Sequence, residues 1–383
     1  MPLLRNERVR GLLIQAVVLA LVGWAVASIG INTANNLRQR GIASGFDFLG
    51  QHAGFDITMH LIPYDEAATY GRAFVVALLN TLLVSVIGIV LATWLGFMIG
   101  VARISHNWLL SRLAAAYVET LRNLPLLLQL FFWYFAVLRT MPMPRQSMSL
   151  GGMFFLNMRG LSVPRPLFQD GAAGLAVAAI VGCVIWLLVR RWARARQFAT
   201  GQTFPVAVSF FVLILGLPAV AYFLLGRPIQ WEIPELQGFN FNGGYVLIPE
   251  LVSLVFALTL YTAAFIAEIV RAGILAVPRG QTEAALALGM SRGQLLKLVI
   301  VPQALRVIIP PLTSQYLNLT KNSSLAAAIA YPDIVLVFAG TVLMQTGQAV
   351  EIIGITMAVY LTISLAISAT MNIYNRRIAL VER

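Results

Sequence analysis

Three histidines, one cysteine and two lysines are all that the sequence offers for covalent, redox or metal chemistry. His52, His60 and His106 lie in separate segments without ligand spacing, which disfavours a zinc site or a His-based triad. Cys183 stands alone inside the apolar run from Ile180 to Val189, so no disulfide framework and no cysteine-based metal site can form. Lys297 and Lys321 are not preceded by glycine, so no G-x-x-x-x-G-K-[ST] phosphate loop exists, and the chain is not a P-loop ATPase by itself.

Binding chemistry is better represented. In the segment Asn318-Leu-Thr320-Lys321-Asn322-Ser323-Ser324 only the leucine is apolar, and the segment interrupts an apolar stretch between Pro310-Pro311 and Ala326. Polar backbone or side chains at membrane depth are tolerated where they face protein or a water-filled cavity. Two readings follow, hydrogen bonding between helices or the lining of an aqueous path. Acidic residues inside apolar runs are costly, so each calls for a partner. Glu119 with Arg122, and Glu268 with Arg271, stand three apart, a helical spacing that predicts two local structural ion pairs. Glu250, Asp333 and Glu351 are the remaining acids of this kind.

The elements that position these groups are membrane helices. The chain has 383 residues, 59% of them hydrophobic and 11% charged, where a soluble protein carries about 25% charged. Runs long enough to cross a bilayer occur at about 11–31, 74–102, 113–138, 172–189, 205–225, 245–270, 303–325 and 350–373, which predicts an all-α polytopic protein with about eight transmembrane helices. The first run is longer than the apolar core of a cleaved signal peptide and reads as an uncleaved anchor. A cytoplasmic N-terminus places 17 of the 27 basic residues inside, among them Arg5, Arg8, Arg10, the Arg190-Arg191-Trp-Ala-Arg194-Ala-Arg196 run, Arg376, Arg377 and Arg383. Eight fall outside, among them Arg38, Arg40 and Arg72, so both termini are expected in the cytoplasm. The net charge of +12 is thus topological, and the arginine run against a span implies lipid headgroups rather than nucleic acid. The outer segment 37–72, with Phe46, Phe48, Phe55 and Tyr64 among four acids, reads as interfacial, with receipt of an extracytoplasmic partner as the alternative. Gly96 and Gly100 allow close helix approach.

Between the sixth and seventh runs stands Gly280-Gln-Thr-Glu283-Ala284-Ala285-Leu-Ala-Leu-Gly289, followed by nine residues and Val299-Ile-Val301-Pro302. Pro278 blocks continuation of the preceding helix, Thr282 is a candidate N-cap with Glu283 in the first turn, and Gly289 is a natural stop. The alanines leave a smooth surface suited to a groove on another protein. This pattern resembles the signature loop of permease subunits of binding-protein-dependent ABC importers, with Val299 and Val301 in place of the usual Ile and Leu. Leu79-Asn80-Thr81-Leu82, Tyr117-Val-Glu119-Thr-Leu-Arg122-Asn-Leu-Pro125-Leu-Leu-Leu-Gln129, Tyr261 through Gly273, and Lys321-Asn322-Ser323-Ser324-Leu325 are similar to the polar amino-acid branch. The length, the extra N-terminal span and the insertion resemble the larger Q-type permease of general L-amino acid importers.

The resemblance implies a permease core over 74–138 and 245–383, preceded by a membrane anchor and extracytoplasmic segment at 1–73 and divided by an inserted loop and two extra spans at 139–244. It implies that Glu283, Ala284, Ala285, Gly289 and Pro302, within a loop at 278–302, couple to a separate ATPase. Asn318, Lys321, Asn322, Ser323, Ser324 and Gln129 are expected along the substrate pathway, where amides, hydroxyls and one ammonium could meet the carboxylate of an L-amino acid. Implied partners are a homologous permease chain forming a heterodimer, two ABC ATPases holding ATP-Mg, a periplasmic amino-acid-binding protein and membrane lipid, in the bacterial inner membrane. No cofactor, metal or nucleic acid is expected on this chain, and no catalytic residue. The competing class is an ion-coupled secondary transporter, for which neither an inverted repeat nor a proton-relay array is visible.

Overall fold

Apolar segments this long can satisfy their backbone polar groups in a bilayer only as helices, and the computed structural model of the chain, which describes residues 7–39 and 44–378, is built on them. Arg5, Arg40 and Arg383, used above for orientation, lie outside the described residues. We label the helices α1 (Glu7–Gln39), α2 (Tyr70–Arg103), α3 (Trp108–Asn123), α4 (Leu126–Thr140), α5 (Ala172–Thr200), α6 (Val206–Leu224), α7 (Pro249–Leu275), α8 (Arg279–Ala287), α9 (Arg292–Ile329), α10 (Val335–Thr346) and α11 (Ala349–Ile378). Seven of these are long and apolar enough to cross a membrane, and the pair α3 and α4 makes an eighth candidate span bent by 106°.

That bend corrects the expectation of one straight span over 113–138. Leu124 precedes Pro125 and is extended, with φ −95° and ψ 132°, because the proline ring disfavours the helical region for the residue before it. The carbonyls freed at the end of α3 are met by Gln129, whose Nε2 donates to Leu121 O at 2.9 Å and Leu124 O at 3.1 Å.

The chain divides into two compact units, 1–131 with 253–383 and 132–252. In the first, α2 turns small residues toward its neighbours. A Cβ on Gly96 would lie 2.6 Å from Ile266 Cβ and 3.0 Å from Ala263 O, and one on Gly100 would lie 2.7 Å from Val270 Cβ and 2.8 Å from Ala267 O, so α2 and α7 meet nearly backbone to backbone. Segment 44–69, expected from its composition to be interfacial, packs on the helices of the first unit. It folds back as a cap, burying Phe48, Ala53 and Ile57 against Ala73, Val76, Ala77, Ile334, Phe338 and Ile352. Polar ties hold it there: Arg72 Nη2 donates to Pro63 O at 2.9 Å, and Gly45 N donates to Glu351 Oε1 at 2.8 Å. Burial and the nearby Asp56 and Asp65 push the Tyr64 hydroxyl up to about 12, so it stays protonated and donates to Phe55 O.

The second unit departs from an all-helical reading. Eight short strands, β1 (Met148–Leu150), β2 (Phe154–Asn157), β3 (Gly160–Val163), β4 (Arg165–Phe168), β5 (Ile229–Glu232), β6 (Glu235–Gln237), β7 (Asn240–Asn242) and β8 (Tyr245–Leu247), flank the α5–α6 hairpin. They form an antiparallel sheet of order β1-β2-β3-β8 and two ribbons, β4-β5 and β6-β7. In the hairpin a Cβ on Gly182 would lie 2.5 Å from Leu213 O, beside the π-turn Val212–Gly216.

Candidate functional site

The loop that the sequence singles out is a helix presented to solvent. α8 begins directly after Pro278, with no side-chain cap, so Thr282 lies inside the helix and the expected N-cap role is corrected. Proline supplies the stop for α7 and the fixed φ for a new start, which makes a hydroxyl cap dispensable. The other end is as expected from Gly289, which takes φ 73°. Its N–H donates to Leu286 O at 2.9 Å and Met290 N–H donates to Ala285 O at 3.1 Å, the paired bonds of a glycine-terminated helix. Ser291 and Gln294 then form a reciprocal capping box that restarts the chain as α9. Ala285 is buried, while Glu283, Ala284, Ala287 and Leu288 are exposed, Leu288 to 79%. Pro302 sits half-buried at the first turn after a π-turn at Leu296–Ile300.

Close to the α7 end of this loop, Glu268 is gripped from two helices. Arg271 Nη2 donates to its Oε1 at 2.6 Å, as the spacing predicts, and Arg103 at the end of α2 pairs with its Oε2. Arg103 was not indicated by sequence, since its acid lies 165 residues away. The pair Glu119 and Arg122 does not form. Glu119 is exposed on α3, and Arg122 lies over the Phe265 ring at 5.1 Å. Three-residue spacing permits an ion pair but does not impose one when an aromatic face competes.

The polar segment at 318–324 stays helical through Asn322, past Pro310 and Pro311, and tightens into a 3-10 turn at Ser323–Ile329. Its residues separate by face. Asn318 and Lys321 are exposed, Asn322 and Ser324 half-buried, and Ser323 buried with its Oγ donating to Thr320 O at 2.7 Å. Ser323 and Gln129 are therefore turned into the protein interior, unlike the other four expected pathway residues, because each satisfies a backbone carbonyl at a helix irregularity. Gln129 Oε1 has no protein partner.

Beyond the 3-10 turn the chain reverses through Ala330, with φ 60°, and Tyr331-Pro332-Asp333. α2 holds this reversal with three bonds and the 44–69 segment with a fourth, to Met59. Asn80 Nδ2 donates to Pro332 O at 2.9 Å and to Met59 O at 2.8 Å, Tyr331 Oη donates to Asn80 O at 3.1 Å, and Ile334 N donates to Thr81 Oγ1 at 3.0 Å. Asp333 caps α10 by accepting from Leu336 N at 2.8 Å, and Tyr360 Oη donates to its second oxygen at 3.5 Å. The fully buried Asn80 and Thr81 were visible only as a motif, without a role. In the second unit Glu250 accepts from Tyr134 Oη at 2.6 Å, and Arg139 Nη2 donates to the same hydroxyl at 2.8 Å.

Comparison with known proteins gives one consistent answer. Residues 196–380 match the family described as the binding-protein-dependent transport system inner membrane component. A putative amino-acid ABC transporter permease of Escherichia coli, YhdX, is 56% identical over 381 residues, spanning 99% of this chain and 96% of the relative. The general L-amino acid transport system permease AapQ of Rhizobium johnstonii is 50% identical, covering 96% of this chain and 91% of its own. The glutamate/glutamine/aspartate/asparagine transport system permease BztB of Rhodobacter capsulatus is 43% identical, covering 100% and 96%.

Proposed function

The chain belongs to the binding-protein-dependent transport system inner membrane family, among the amino-acid ABC transporter permeases, and from that premise we propose that it forms half of an L-amino acid translocation pathway in a bacterial inner membrane. A homologous permease chain supplies the other half as a heterodimer. Two separate ATPase subunits bind ATP-Mg, and a periplasmic binding protein delivers the amino acid. Both termini face the cytoplasm.

The observation that carries this reading is α8. A nine-residue helix fenced by Pro278 and Gly289 presents Glu283, Ala284, Ala287 and Leu288 outward while Ala285 anchors it. Small side chains beside the exposed Leu286 and Leu288 suit insertion into a groove on a partner. The ATPase dimer pushes on this helix when it closes around ATP, and the spans follow. Asn318, Lys321, Asn322 and Ser324 supply amide, ammonium and hydroxyl groups along the path, while Ser323 holds the backbone that presents them and Gln129 holds the bend between α3 and α4. The chain makes and breaks no covalent bond, and its work is binding and movement.

The test is uptake in proteoliposomes carrying the permeases, the ATPases and the binding protein. Ala284→Trp places a large ring on the exposed face of α8 and is expected to lower ATP-driven uptake at least about tenfold, equivalent to about 1.4 kcal/mol of lost contact. Uptake by the unaltered complex that follows an ion gradient and ignores ATP would overturn the assignment.

A further inference from the structure

α8 and the reversal at 330–334 are separated in the sequence, yet one helix, α2, is fastened both to the reversal and to α7, which leads into α8. We propose that α2 is the arm that carries movement of α8 to the pathway segment, with Arg103 and Glu268 fastening one end and Asn80 and Thr81 the other. The proposal rests on the reading of α8 as the ATPase contact.

The C-terminal end of α2 is tied to α7 by chemistry and by shape. Arg103 pairs with Glu268, which Arg271 also holds, and seven residues on from Arg271 the chain reaches Pro278 and the start of α8. Below that clamp, Gly100 and Gly96 bring the α2 backbone against Ala267 and Ala263. With Ile266 and Val270 seated directly on the two glycines, the seam has little slack to absorb a displacement, so α7 and α2 move together. Ser111 Oγ adds a bond to Arg103 O at 2.8 Å, fixing the loop into α3 to the same point.

From Arg103 back to Asn80 is 23 residues, or about 34 Å of helix at 1.5 Å per residue. At that far point the bonds change character, from an ion pair half open to water to hydrogen bonds that are buried. Pro332 O, Ile334 N–H and the Tyr331 hydroxyl are all held by two consecutive residues of α2. The reversal they hold directly follows the 3-10 turn Ser323–Ile329, whose first residues belong to the polar segment. Tyr360 of α11 reaches Asp333 from the other side. A shift of α2 along its axis is thereby delivered to the C-terminal end of the 3-10 turn. Asn80 Oδ1 is buried without a protein partner, an acceptor left open to a donor as the reversal moves.

Arg103, Glu268, Asn80 and Thr81 are positioning residues, and the readout that separates them from mere supports of the fold is coupling. In the full complex in proteoliposomes, ATP hydrolysis is measured with and without amino-acid-loaded binding protein. Glu268→Gln and Thr81→Val are each expected to reduce the stimulation by loaded binding protein about fivefold or more while basal hydrolysis continues. Arg103→Lys and Thr81→Ser, which keep the charge and the hydroxyl, are expected to retain most of the stimulation. Because both ends act through one arm, the double variant Glu268→Gln/Thr81→Val is expected to fall no further than the worse single variant, to within about twofold. Multiplicative loss in the double variant, or full stimulation in both single variants, would overturn the arm. Should Glu268→Gln fail to assemble, Arg103→Gln against Arg103→Lys reads the same clamp, and equal stimulation in those two also overturns it. An unaltered complex that transports without ATP sinks the reading of α8 instead, so the two failures are distinguishable.

Discussion

In the first unit, the buried positions of α2 and α9 include Asn80, Thr81, Ser85, Thr320 and Ser323, each making a hydrogen bond. In the second, the buried positions of α5 and α6 among the described residues are Gly182 and Ala193 alone. The most apolar stretches differ in the same sense: 39% of α2 and 56% of α7 is buried in the protein, against 6% of α5 and none of α6. Polar groups at membrane depth are worth their desolvation only where they specify a geometry that must be held or moved. The spans α5 and α6 bury no polar side chain, their few polar groups such as Trp186 and Ser209 bonding to the Val206 carbonyl between them. Helices so plain are suited to lipid on most of their surface.

The comparison breaks most visibly at the α2–α7 seam. Gly100→Leu forces a side chain into space already held by Val270 and Ala267 O, and overpacking of this kind is expected to cost about 3 kcal/mol. The measurement is the thermal midpoint of the detergent-solubilised chain together with the yield of assembled complex. An unchanged midpoint would mean that the two helices do not meet as closely as described.

Much of this was legible in the sequence for a physical reason. Long uncharged runs have one solution in a bilayer, so the spans could be placed, although the run over 113–138 gave no sign of the break that Pro125 imposes on its neighbour Leu124. Gly289 likewise announced the end of α8. What was not legible depends on partners far away in the chain. Local spacing suggested Glu268 with Arg271 but could not reach Arg103, and it suggested Glu119 with Arg122 where Phe265 takes the arginine instead. The strands of 148–247 are three or four residues long, too short for alternation to rise above the surrounding loops. The cap over 44–69 has the composition of an interfacial segment, and only the groove it fills distinguishes the two.

A smaller effect of the same sign tests the polar side of the comparison. Asn80→Ala removes the donor to Pro332 O and Met59 O, leaving both acceptors without it in a dry interior, and is expected to cost about 2 kcal/mol of stability. Hydrogen exchange at 329–334 should rise selectively. In the second unit, Tyr134→Phe removes one hydroxyl between Glu250 and Arg139, but those two already stand 4.0 Å apart and can close on each other. The expected loss is about 1 kcal/mol, read as a shift of the thermal midpoint. A larger loss for Tyr134→Phe than for Asn80→Ala would reverse the ranking of the two units.

The smallest expected change has the opposite sign. Gly216 sits in α6 at φ −69° and ψ −44°, ordinary helical values, and a Cβ there would meet nothing within 4 Å. Glycine in such a position gives up backbone freedom on folding without returning any close packing, in contrast to Gly182 of the facing helix, where a Cβ would strike Leu213 O. Gly216→Ala is therefore expected to stabilise the protein by about 0.5 to 1 kcal/mol, or to leave it unchanged where the π-turn absorbs part of the gain. The thermal midpoint of the solubilised chain reads this directly, with Gly182→Ala as the destabilised control. If Gly216→Ala instead lowers the midpoint or disrupts assembly with the second permease chain, that face of α6 is covered in the working complex. The plain face of α6 would then be a protein contact and not a lipid-facing surface.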